Sequence, residues 1–138
     1  MDHINHRKET MTVMRTMITV VLGIVMTAAV ALAAGYKNIL SGDAKRLLAS
    51  TKNVFLLDVR TPDEFRQARL QGAVLIPINE VERRLGEVPK NRPVLVYCAV
   101  GSRSNLVADY LAQRGYPQVY NLADGIVGWY RNGFPIIR

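Results

Sequence analysis

A single cysteine, Cys98, carries the most reactive side chain in this sequence, and no histidine stands near it in the chain: His3 and His6 both precede residue 7. One cysteine excludes an intramolecular disulfide and any CxxC pair, redox or zinc-binding. With no imidazole in the body of the chain, Ser-His-Asp and Cys-His catalytic pairs and His-based metal sites are excluded as well. Any thiol chemistry must therefore be activated by other means. The residues that follow are Ala99, Val100, Gly101, Ser102, Arg103 and Ser104. Small residues and a glycine let a backbone curl so that several N–H groups face the sulfur, and the start of a helix adds partial positive charge. Arg103 adds a permanent positive charge. These features together predict a Cys98 thiolate near neutral pH. A cysteine that only packs belongs inside a strand or on a helix stripe, not where a strand gives way to such a turn.

The surrounding pattern must place that turn. Val54-Phe55-Leu56-Leu57 and Val94-Leu95-Val96-Tyr97 are continuous apolar runs, the kind buried on both faces of a parallel sheet. Ala73 to Ile76 and Val119 to Leu122 read as two further strands. Ser41 is expected to cap a helix over residues 42–50. Thr61-Pro62-Asp63-Glu64 carries a capping box with Pro at the first helical position, opening a helix that reaches about Arg69. Asn79 and Glu82 repeat the capping pattern for a helix through about Glu87. A helix over residues 104–114, with Leu106, Val107, Tyr110 and Leu111 as its apolar stripe, stops at Gly115. A short helix from Gly125 to Tyr130 ends the chain. Strands alternating with helices at this spacing predict an α/β domain with a parallel sheet, and Cys98 falls at the carboxyl end of a strand, where such sheets bind ligands.

The pieces Leu57-Asp58-Val59-Arg60-Thr61-Pro62-Asp63-Glu64-Phe65, Gly72-Ala73, Ile76-Pro77, Val96-Tyr97-Cys98-Ala99-Val100-Gly101-Ser102-Arg103-Ser104 and Val119-Tyr120-Asn121-Leu122, with Gly125, Ile126 and Trp129, follow one another in fixed order. In that order and spacing the chain after residue 38 resembles a single-domain rhodanese. One departure is Ala123-Asp124-Gly125, where that family often has a Gly-Gly pair. The resemblance implies a rhodanese-like parallel sheet flanked by helices on both faces. It also implies sulfur transfer through a Cys98 persulfide, from thiosulfate or another sulfane-sulfur donor to an external thiol or cyanide. The N–H groups of residues 99–104 would hold the terminal sulfur, and Arg103 would favour an anionic donor. No metal and no cofactor beyond the transient persulfide is expected. Asp58 and Arg60 either border the crevice or, the preferred reading, pair with each other to hold the loops; Trp129 is expected in the core.

Other functions remain open to the sequence. A cysteine phosphatase of the same architecture would need Cys-x5-Arg, and here Arg103 follows Cys98 as Cys-x4-Arg, one residue short. A sulfur carrier or redox sensor that does not turn over needs the same activated thiol. The net charge of +7 suits anionic partners, but the basic residues are scattered and no aromatic ladder interleaves them, so nucleic-acid binding is not expected.

Composition divides the chain near residue 35. All five Met fall at or before Met26, every aromatic falls at or after Tyr36, and no charge lies between Arg15 and Lys37. The uncharged run from Thr16 to Tyr36 is long enough to span a bilayer. Arg7, Lys8 and Arg15 precede it, and Ala31-Leu32-Ala33 has the form of a signal-peptidase site. Residues 1–36 are therefore expected to be a cleaved signal peptide or a hydrophobic transmembrane anchor. Residues 37–138 form the domain, which is exported or held at the membrane through residues 16–36.

Overall fold

The computed structural model describes residues 35–138. The N-terminal segment read as a signal peptide or anchor helix lies outside the described residues. Among those described, no helix is long and apolar enough to cross a membrane.

The apolar runs become the middle of a parallel sheet. Strands β1 (Lys37–Ile39), β2 (Phe55–Asp58), β3 (Val74–Leu75), β4 (Val94–Tyr97) and β5 (Val119–Leu122) lie in the order β1-β5-β4-β2-β3, every neighbouring pair parallel. β4 is the centre: Asp58 pairs with Tyr97 on one side and Asn121 with Val96 on the other. Successive side chains of a strand point to opposite faces, so β4 divides its residues between two cores. Val94, Val96 and Cys98 join Leu57, Val59, Val107 and Leu111 on one face. Leu95 and Tyr97 join Leu56, Leu122, Ile126 and Trp129 on the other. Continuous hydrophobicity is what a strand covered on both sides requires.

The helices are α1 (Ser41–Ser50), α2 (Pro62–Gln67), α3 (Ser102–Gln113) and α4 (Gly125–Arg131). The capping box at α2 forms as expected: Glu64 N–H donates to Thr61 Oγ1 at 3.3 Å and Thr61 N–H to Glu64 Oε2 at 2.9 Å. Four details differ from the sequence reading. β1 was not expected; three residues with two exposed positions carry too little periodicity to show, and β1 is fixed by pairing with β5. Ser41 is the first residue of α1 rather than its cap, because its N–H and Oγ both donate to Asp124, at 3.0 Å and 2.8 Å. The helix expected through Glu87 is instead two short 3-10 turns, Ile78–Glu80 and Leu85–Glu87, with no side-chain cap from Asn79 before them. Glu80, Glu82, Arg83, Arg84 and Leu85 are good helix formers, but the stretch between Pro77 and Pro89 is short and holds Gly86, and a segment of that length is marginal as a helix on propensity alone. In α3, Leu106 is exposed, and Ala108 and Ala112 take the buried positions beside Val107 and Leu111. Trp129 is in the core, its Nε1 donating to Pro135 O at 2.9 Å.

Candidate active site

β4 delivers Cys98 to the carboxyl edge of the sheet, and the chain must then turn sharply into α3. Gly101 makes the turn with φ +93°, a left-handed conformation that favours glycine. A Cβ there would also stand 2.1 Å from the Ala123 carbonyl oxygen. On the far side, Gly125 (φ +59°) lets the start of α4 approach so closely that a Cβ would lie 2.2 Å from Ala99 O. Ile126 and Val127 N–H donate to the carbonyls of Cys98 and Ala99, at 3.0 and 3.1 Å. The loop is thus clamped between residues 123–127 and α3. At the position where the family often has a first glycine, Asp124 has an ordinary φ of −97°. The backbone there needs no glycine, and the carboxylate serves to tie α1 to the loop instead.

The Cys98 sulfur accepts hydrogen bonds from Gly101 N–H (3.2 Å), Ser104 N–H (3.4 Å) and Ser104 Oγ (3.3 Å). Both residues 98 and 104 are fully buried. Burial pushes the thiol up, but donation from Ser104 Oγ, Ser104 N–H, Val100 N–H and Gly101 N–H outweighs it and holds Cys98 below the ordinary thiol value. The α3 start arrives two residues earlier than expected, at Ser102. That places Ser104 N–H in the first turn, among the donors that have no partner within the helix. Of the six loop residues named from sequence, Gly101 and Ser104 donate to the sulfur, and the Val100 N–H adds to the lowering of its thiol. Ala99 instead takes part in the clamp, and Ser102 and Arg103 form the first turn of α3.

Arg103 stands differently from expectation. Its guanidinium is engaged in a bidentate pair with Glu64 on α2, Nη1 to Oε2 and Nη2 to Oε1, both 2.8 Å. Glu64 holds Arg103 above its ordinary value, with the nearby Cys98 sulfur a lesser cause. The same pair carries the Glu64 carboxyl down to about 2. The sequence reading gave Glu64 only the capping role; its place in the segment from Asp58 to Phe65, three residues after Thr61, was the available signal.

Asp58 and Arg60 pair with each other. Arg60 Nη2 to Asp58 Oδ2 is 2.6 Å, and both side chains are almost wholly buried. Arg60 also donates to Ala68 O at 2.7 Å and lies over the Tyr97 ring, while Leu70 N–H donates to Tyr97 Oη at 3.2 Å. This network fixes the segment after α2 and packs against Tyr97, whose core lies on the sheet face opposite that of Cys98. Tyr97 is pushed above its ordinary value chiefly by burial and then by Asp58.

A parallel α/β sheet with a buried cysteine at the carboxyl edge of its central strand, its sulfur held in a cradle of donors, defines the class of protein. The family model described as a rhodanese-like domain matches residues 40–132, and the chain belongs to that family. A sulfurtransferase of Allochromatium vinosum is 43% identical over 90 residues, covering 65% of this chain and 84% of that relative. The thiosulfate sulfurtransferase GlpE of Actinobacillus succinogenes is 35% identical over 89 residues, 64% of this chain and 80% of the relative. Among solved structures, a rhodanese-related protein of Thermoplasma volcanium matches with a TM-score of 0.67 at 27% identity, covering 74% of this chain and 98% of that one.

Proposed function

We propose that the protein is a sulfurtransferase that moves a sulfane sulfur through a persulfide on Cys98. The observation that carries this reading is the convergence of N–H and hydroxyl donors on a buried sulfur whose thiol is held below its ordinary value. The thiolate attacks the outer sulfur of thiosulfate; the new S–S bond forms as the bond to the sulfonate sulfur breaks, and its electron pair leaves with sulfite. The negative charge then resides on the terminal sulfur of Cys98–S–S⁻, where N–H groups of the loop stabilise it. An organic persulfide donor reacts in the same sense and leaves as a thiolate. A thiolate or cyanide then attacks the terminal sulfur and releases Cys98 as its thiolate. No second cysteine is present to resolve the persulfide, so the acceptor comes from outside. The relatives named as sulfurtransferases support the same reading. Incubation with thiosulfate followed by intact mass measurement tests it: the wild type gains one sulfur atom and Cys98→Ser gains none. Absence of the adduct from the wild type with thiosulfate and with a monoanionic sulfane-sulfur donor alike refutes the proposal. For the N-terminal segment, the uncharged run from Thr16 to Tyr36 supports delivery to or across a membrane. N-terminal sequencing of the mature protein from membrane and exported fractions distinguishes an anchor from cleavage after Ala33.

A further inference from the structure

The charge next to the sulfur is set by two helices, not by the loop alone. Glu64 is fixed before any donor arrives: Thr61 N–H holds Oε2 from the α2 side, and the Arg103 fork holds both oxygens from the α3 side. The carboxyl stays ionised throughout the neutral range. Once the Cys98 thiolate forms, Cys98, Glu64 and Arg103 sum to one negative charge. A donor carrying two charges meets that balance at twice the cost of a donor carrying one, and it must also compete with a preorganised carboxylate for the guanidinium.

We propose that Glu64 sets donor choice: by holding the Arg103 guanidinium in a bidentate pair beside Cys98, it selects singly charged sulfane donors, such as organic persulfides and thiosulfonates, over dianionic thiosulfate. The inference rests on the sulfurtransferase reading and narrows its donor class. Glu64 touches neither the sulfur nor the atoms transferred, so it is a specificity-determining residue and not a catalytic one.

The test compares Cys98 loading by thiosulfate with loading by an aromatic thiosulfonate, a monoanion that leaves as sulfinate. Glu64→Gln removes the charge and keeps an amide oxygen able to accept from Thr61 N–H. At an effective dielectric between about 20 and that of water, removing a nearby unit charge changes the encounter on the order of tenfold per unit of donor charge. The ratio of kcat/KM for thiosulfate over thiosulfonate therefore rises about tenfold in Glu64→Gln, mostly through KM. The wild type supplies a measurement that needs no variant: its thiosulfate-to-thiosulfonate ratio rises with ionic strength as the local negative balance is screened. An unchanged ratio in a folded Glu64→Gln protein, or a wild-type ratio that falls with salt, overturns the assignment of Glu64 and leaves the sulfurtransferase reading standing. If neither donor adds sulfur to Cys98, both fall together.

Discussion

Replacing Ser104 with alanine isolates the largest single lowering influence on Cys98. The hydroxyl lies 3.3 Å from the sulfur and 3.2 Å from Gly101 O. It has one proton for two acceptors, and ionisation of the thiol draws that proton to the sulfur. A hydrogen bond to a charged group contributes about 1.5–3 kcal/mol; since the proton is shared in the neutral form, the lower end applies, equivalent to about one pKa unit. Ser104→Ala should therefore raise the Cys98 thiol by about one unit while leaving the N–H donors of Gly101 and Ser104 in place. The rate of alkylation by iodoacetamide, followed against pH, reads the shift. Well below the pKa the thiolate fraction falls about tenfold, but each thiolate becomes about threefold more nucleophilic as its basicity rises. The net loss is about threefold at low pH, with a gain of about threefold at high pH. The two curves must cross. Restricted access to the buried sulfur scales each whole curve and leaves its midpoint untouched. A Ser104→Ala midpoint equal to or below that of the wild type would refute the view that the hydroxyl stabilises the thiolate.

Other substitutions probe the frame around the sulfur. Gly125→Ala meets both a positive φ and the Ala99 carbonyl; urea unfolding should show a loss of about 2–4 kcal/mol, and a loss below about 0.5 kcal/mol would contradict the clamp. Asp58→Asn leaves the buried Arg60 charge without its partner and should cost about 3–5 kcal/mol in the same assay, with the midpoint of Cys98 alkylation little moved because the pair packs against Tyr97, whose core lies on the sheet face opposite that of Cys98. The Glu64 carboxyl is lowered on folding from 4.5 to about 2. Its contribution is therefore complete above about pH 5 and disappears as pH falls toward 2. The stability difference between wild type and Glu64→Gln should follow that course in denaturant titrations, and a difference constant across the window would exclude ionisation as its source. For Cys98 the thiol is also lowered on folding, from 9.0, so wild type should gain stability over Cys98→Ala as pH rises through the folded pKa toward 9 and show no such gain below it.

What the sequence made legible was local or periodic. The runs at 54–57 and 94–97 had to be covered on both faces, and β2 and β4 are. The capping box at Thr61 involves residues three apart, and it formed. Cys98 stood out because strand, glycine and arginine were adjacent in sequence. The features that stayed hidden arise from partners far apart in the chain. Ser41 looks like a cap until Asp124, 83 residues away, takes its N–H and hydroxyl. β1 exists only because β5 pairs with it. Arg103 reads as a free cation until Glu64, 39 residues earlier, meets it across the site.

That last pairing changes how the thiol must be activated. A free guanidinium beside Cys98 would make the site cationic and carry the lowering by charge. In the structure the guanidinium is already matched by a carboxylate, so the burden falls on short-range donation from Ser104, Gly101 and Val100. The two mechanisms respond differently to salt. Lowering by a nearby free charge weakens as ions screen it, whereas hydrogen bonds inside a buried cradle are largely indifferent to ionic strength. The Cys98 midpoint in the alkylation assay should accordingly move by less than about 0.3 units between 0.05 and 1 M salt, while the donor ratio that depends on Glu64 changes over the same range. A midpoint that climbs steeply with salt would return the activation to Arg103 and leave the cradle as scaffolding.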